Sequence, residues 1–183
     1  YPREVKKEMR VLTREEQSRF ISYLLDDMDA CKFGTFIALF TGMRIGEICA
    51  LKWENISLKD GTIKVDKTMQ RLKNIEDDAQ TKTKIVVSSP KSDNSRRIIP
   101  MTKQAAELCA QMQPDSQSSY VLTGNVHYME PRALQYRLEK YTQECGLDGV
   151  HFHTLRHTFA TRCVEVGFEL KSLNVDGGAS QNN

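Results

Sequence analysis

Three of the chain's four histidines and Arg156 fall within the stretch His151-Phe152-His153-Thr154-Leu155-Arg156-His157-Thr158-Phe159-Ala160-Thr161-Arg162-Cys163. Leu155, Phe159, Cys163 and Val166 recur there at i, i+4, i+8 and i+11, an apolar stripe of helical period. His153 and Arg156 then occupy the first helical turn, and Arg156 and His157 sit beside that stripe rather than opposite it. A helix N-terminus carries unpaired N–H groups and a partial positive charge, so an arginine there makes an anion site. Arg44 opens a second helix just after Gly42, and Lys91 projects from a turn. Two guanidiniums from separate helix starts suit the non-bridging oxygens of one phosphodiester, because the planar fork donates parallel hydrogen bonds and keeps its charge when desolvated. Each such bond contributes about 1.5–3 kcal/mol, and more to a transition state of growing charge. A lysine on a turn can protonate a leaving oxygen, and His153 can share acid–base or hydrogen-bonding work.

Helices must present most of these groups. Thr13-Arg14-Glu15-Glu16 is a capping box opening a helix that carries Phe20, Leu24 and, one turn on, Met28. A more apolar helix spans about Phe33 to Phe40. Thr41-Gly42-Met43 breaks it, and a short helix restarts at Arg44 with Ile45, Ile48 and Leu51 inward and Trp53 closing the unit. The period then shortens. Residues 55–58 and 62–65 alternate across Lys59-Asp60-Gly61, a hairpin signal. Residues 68–83 are polar and carry no clear period. Ile85-Val86-Val87 and Arg97-Ile98-Ile99 predict a second strand pair around the turn-rich Ser88–Ser95. Thr102 opens a helix through about Met112, and Tyr120–Leu122 is a short extended piece. Pro131 fits the first position of a helix running to Cys145, with Gly146 ending it. The expected class is α+β, mainly helical, with a small three-stranded antiparallel sheet.

With 183 residues the chain can bury a core of its own. No apolar run approaches the roughly 20 residues needed to cross a bilayer, so no membrane partner is expected. Cys31, Cys49, Cys109, Cys145 and Cys163 share no metal-ligand spacing, which predicts buried free thiols in a reducing cytoplasm. Net charge is only +2, but its distribution is uneven. Residues 81–103 hold Lys82, Lys84, Lys91, Arg96, Arg97 and Lys103 against Asp93 alone. Such a basic segment is what tracking a phosphate backbone requires.

Thr41-Gly42-Met43-Arg44-Ile45-Gly46-Glu47-Ile48, followed by Leu51-Lys52-Trp53, resembles the first arginine motif of the tyrosine recombinases, the phage-integrase family. Pro90-Lys91-Ser92 through Arg96-Arg97 resembles that family's β-hairpin lysine segment, and His153–Thr161 its His-x-x-Arg box. The three stand in the family's order, with a texture closest to integrases of conjugative transposons and Gram-positive phages. The resemblance implies cofactor-free and metal-free transesterification of double-stranded DNA. A tyrosine hydroxyl attacks the scissile phosphate, a 3′-phosphotyrosyl link forms and a 5′-hydroxyl leaves. It casts Arg44 and Arg156 as the phosphate clamp, Lys91 as general acid and His153 as the acid–base or phosphate-contacting histidine. Glu47 and His157 are expected to support them, and Lys84, Arg96 and Arg97 to contact the DNA backbone.

The end of the chain departs from the family pattern. The expected Leu-Gly-His-like segment and nucleophilic tyrosine do not follow the box, and Tyr1, Tyr23, Tyr120, Tyr128, Tyr136 and Tyr141 all precede it. The expected organisation is therefore a C-terminally incomplete catalytic domain over residues 1–173, with a tail over 174–183 that has no helical period. Such a piece is expected to be a monomer that cannot form the covalent link, whereas the parent acts as a tetramer on DNA. Two other readings stay open. One is an inert DNA-binding module of the same fold. The other is a zinc phosphoesterase using His151, His153 and His157, whose last two have the i, i+4 spacing of helical metal sites.

Overall fold

The computed structural model describes residues 9–75, 82–90 and 95–176. Thr13 caps α1 (Arg14–Leu25) through the expected box, its hydroxyl accepting from the Glu16 N–H while Glu16 accepts from the Thr13 N–H. The helix stops at Leu25, with Asp27 in the left-handed region at φ 53°, so Met28 lies beyond it rather than on its last turn. Asp29 then caps α2 (Ala30–Thr41), whose start precedes the expected one because the Asp29 carboxylate accepts from the Lys32 N–H. This helix is buried almost all round and forms the centre of the molecule, packing on α1, α4 (Lys103–Met112), α5 (Pro131–Glu144) and α6 (Phe152–Asp176). Gly42 ends it in the left-handed conformation, φ 68°, and α3 (Ile45–Ala50) begins with Arg44 as its cap. Trp53 closes the unit by stacking on Phe33, centroids 5.4 Å apart.

The strands pair differently from the sequence expectation. β1 (Ile56–Ser57) and β2 (Thr62–Val65) form the expected hairpin, and β5 (Arg97–Pro100) completes a three-stranded antiparallel sheet by pairing with β2, Ile63 opposite Ile99. β4 (Thr83–Ser88) does not pair with β5. It pairs with β3 (Thr68–Lys73), a strand in the stretch that had no readable period. The reason is exposure. β3 buries only Met69 fully and ends in three exposed residues, so half-burial leaves no alternation to read. The basic stretch is consequently split between two sheets. β3 still docks tightly, since a Cβ on Gly46 would stand 2.6 Å from the Met69 carbonyl oxygen.

Helix α6 departs from its expected stripe. Phe152 and Leu155 are buried and Phe159 is partly buried, but Cys163 is exposed. Cys31, Cys49 and Cys109 are the buried thiols, with Cys145 intermediate. Part of the inner face of α6 is polar instead. The fully buried Thr158 hydroxyl accepts from the Leu12 N–H at 3.0 Å and donates to the Thr154 carbonyl at 2.7 Å, while the Arg162 guanidinium donates to the Leu12 carbonyl. The helix continues to Asp176, past the expected limit at residue 173. Among the described residues no helix is long and apolar enough to cross a membrane. Thr158→Val keeps the shape but strands the buried Leu12 N–H. The expected loss is about 1–3 kcal/mol of unfolding free energy, read as a lower urea midpoint at unchanged slope.

Candidate phosphate-binding cleft

The break after α2 and the first two turns of α6 meet in a cleft of about 640 Å³. Arg44, Arg97, His153, Arg156 and His157 line it together with Thr41, Gly42, Ser95, Phe159 and Ala160. Arg44 and Arg156, distant in sequence, thus face one space. Each reaches it by a different device. Gly42 lets the chain reverse with positive φ, and a Cβ there would collide with the Phe159 ring, so α6 can sit directly against the turn. The turn in turn orients α6's arginine: Arg156 Nε donates to the Gly42 carbonyl oxygen at 2.9 Å. Both terminal nitrogens of that fork are left without a protein partner among the described residues, in the arrangement a bidentate anion needs.

Beneath the cleft lies Glu47, 3% exposed. Its Oε1 accepts from the Arg44 backbone N–H at 2.8 Å, fixing the start of α3. Its two oxygens also receive Arg97 Nη1 and Nη2 at 2.8 and 3.0 Å. Burial alone would raise the Glu47 pKa, but the Arg97 fork and the Arg44 N–H outweigh it and hold the carboxyl below its ordinary value. Glu47 therefore supports Arg44 through the backbone and gives its charge to Arg97. The Arg44 side chain is exposed and has no ion pair among the described residues. Arg156 shows the cost of crowding. Burial lowers its pKa, repulsion from Arg44 and Arg97 lowers it further, and Glu47 opposes them. A guanidinium keeps its proton through such shifts, so among the described residues the cleft holds unneutralised positive charge.

The other expected residues divide by place. His153 is exposed at the rim, where it also borders a second hollow containing His151, and His157 lies inside the cleft, partly buried. Among the described residues no three His, Cys, Asp or Glu side chains converge as a metal set. Arg97 is partly buried and turned to Glu47, whereas Arg96, the residue before β5, is exposed. That difference was readable from strand alternation, since residue 97 shares the face of Ile99. The Glu47 pairing itself had no local signal. Lys84 is exposed on β4, opposite Leu72, and does not line the cleft. Lys91 lies outside the described residues. None of the tyrosines among the described residues lines the cleft.

Removing Glu47 leaves Arg97 half-buried and unpaired. Glu47→Ala is expected to cost up to about 3 kcal/mol, the low end for a broken buried pair because Arg97 remains 30% exposed. A depressed carboxyl pKa stabilises the fold fully above the ordinary carboxylate value, and that stability is lost as pH falls through the lowered one. Glu47→Gln should therefore flatten part of the stability loss of the wild type below about pH 4.5, checked by urea titrations across pH 3–7.

Residues 10–180 match the model of the phage integrase family. The shufflon-specific DNA recombinase of Escherichia coli is 30% identical over 166 residues, covering 91% of this chain and 35% of that protein. Tyrosine recombinase XerA of Thermococcus kodakarensis is 26% identical over 170 residues, covering 90% and 52%. The fold is similar to the Tn1549 transposon integrase in complex with transposon right end DNA, with TM-score 0.70, 21% identity, and coverage of 92% of this chain and 58% of that one. It is also similar to XerA recombinase, with TM-score 0.63, 23% identity, and coverage of 91% and 54%. The chain thus spans between about a third and a half of the length of these curated relatives. With nearly all of its residues matched, it belongs to the phage integrase family, the tyrosine recombinases.

Proposed function

We propose that this chain is the phosphate-gripping part of the catalytic domain of a site-specific DNA recombinase, working on double-stranded DNA without metal or cofactor. The observation that carries the reading is the convergence of Arg44 and Arg156 on one cleft, with the fork of Arg156 preset by Gly42. In the proposed reaction a tyrosine Oη bonds to phosphorus and the P–O5′ bond breaks. Arg44 and Arg156 hold the non-bridging oxygens, whose negative charge grows in the transition state. Lys91 gives the proton to the departing 5′-oxygen, and His153 takes or gives a proton at the rim. Rejoining reverses these steps, so no external energy source is needed. His157 contacts the same phosphate or steadies Arg156.

The nucleophile is proposed to come from outside these 183 residues, because no described tyrosine reaches the cleft. By itself the chain then binds DNA as a monomer in the cytoplasm and does not cut it, while the parent recombinase assembles as a tetramer on two duplexes.

Arg44→Ala and Arg156→Ala should each weaken binding of a short duplex by about 10- to 150-fold, the equivalent of about 1.5–3 kcal/mol for one charged contact. Fluorescence anisotropy at fixed salt measures this, and unchanged affinity in both variants would refute the shared clamp. On a nicked suicide duplex the chain is expected to yield no covalent adduct. A DNA-linked species surviving denaturation would show that one of its own tyrosines serves.

A further inference from the structure

We propose a second backbone-phosphate station beside the cleft, built by Lys64, Lys67 and Arg96, over which the DNA strand leaves the clamp. It rests on the reading above that Arg44 and Arg156 hold a DNA phosphate. A hollow of about 360 Å³ lies against the three-stranded sheet, lined by these three cations with Ser89, Asp66 and Arg97. Arg97 lines both this hollow and the main cleft, so the two are neighbours that share one wall. The cations come from separate chain segments: the exposed face of the central strand β2, the β2–β3 connection and the residue before β5. Their convergence is a product of β2–β5 pairing, Val65 opposite Arg97, and not of sequence adjacency.

Charge balance decides what fits. Among the described residues Asp66 is the one acid lining the hollow, and it accepts from the Asn55 side-chain amide at 3.1 Å with Lys64 Nζ at 4.0 Å. Lys67 and Arg96 have no ion pair among the described residues, and all three cations are exposed. Several like charges gathered with one partly engaged acid repel one another, and a polyanion relieves that by releasing its counterions to solvent. The hollow on the other side of the cleft, joined through His153, is built differently. There Arg132 lies over the Tyr136 ring and donates to its hydroxyl, and Glu139 shares the lining. The strand's excess negative charge therefore favours the sheet side. Ser89 adds a neutral hydroxyl donor suited to a phosphate oxygen.

The test uses this chain and a duplex of about 20 base pairs, with affinity measured over a series of salt concentrations. Each neutralised phosphate contributes about −0.9 to the slope of log affinity against log salt. The variant K64A/K67A/R96A should lose about 2 to 3 from that slope. A control of equal charge removed from other faces, K59A/R137A/K140A, should lose less than about 1. Equal losses in the two triples overturn the station while leaving the clamp reading intact. A wild-type chain with no salt-dependent affinity overturns the clamp reading itself. Ethylation interference on the wild-type complex needs no variant and guards against misfolding. Blocked positions should include a phosphate next to the one whose interference Arg156→Ala abolishes, and interference confined to the latter overturns the station.

Discussion

One buried carboxylate makes the cleft possible. Arg44, Arg97 and Arg156 approach a common space, and like charges so placed repel. Glu47 answers this from below, taking the Arg97 fork in two bonds and the Arg44 N–H in a third. It neutralises one cation and spares two. An acid paired to Arg44 or Arg156 would instead have competed with any phosphate for the same fork. The geometry separates structural from free arginines by giving each a different partner: a carboxylate for Arg97, a carbonyl for Arg156 and none for the Arg44 side chain among the described residues.

The same carboxylate joins α3 to β5, and the turn just before α3 adds α6. Its own helix α3 follows the Gly42 turn, Arg97 starts the strand that completes the main sheet, and Arg156 hangs from α6 by the Gly42 carbonyl. These links are polar but sit on an apolar base. Met43, Ile48 and Leu155, each a chain neighbour of one of the linked residues, are fully buried. Tight approach comes from glycine at two places: Gly42 against Phe159 and Gly46 against β3.

Much of this was legible in the sequence, and the illegible part has a common cause. Caps and breaks are local chemistry, so Thr13, Gly42, Pro131 and Gly146 mark their helix ends where the structure has them. Motif order brought Arg44, His153 and Arg156 together as candidates, and the cleft holds all three. Strand pairing is not local. Ile85–Val87 looked like the partner of Arg97–Ile99 by proximity, yet β2 competes for β5 and wins, burying Ile63 and packing Ile99 on the core. The Cys163 position failed for a related reason: at that turn the inward face of α6 is polar, with Arg162 donating to the Leu12 carbonyl, and Cys163 lies on the exposed face.

The bond from Leu12 to Thr158 has a mechanical consequence. Thr158 stands two residues beyond Arg156, so the Leu12 segment and the arginine fork are fastened to opposite sides of one helical turn. Thr158 and Arg156 belong to one helix, so the contact that anchors Leu12 and the contact that orients the guanidinium are carried by the same turn of α6. The seat of the Leu12 segment and the seat of Arg156 are accordingly set by one piece of helix rather than two.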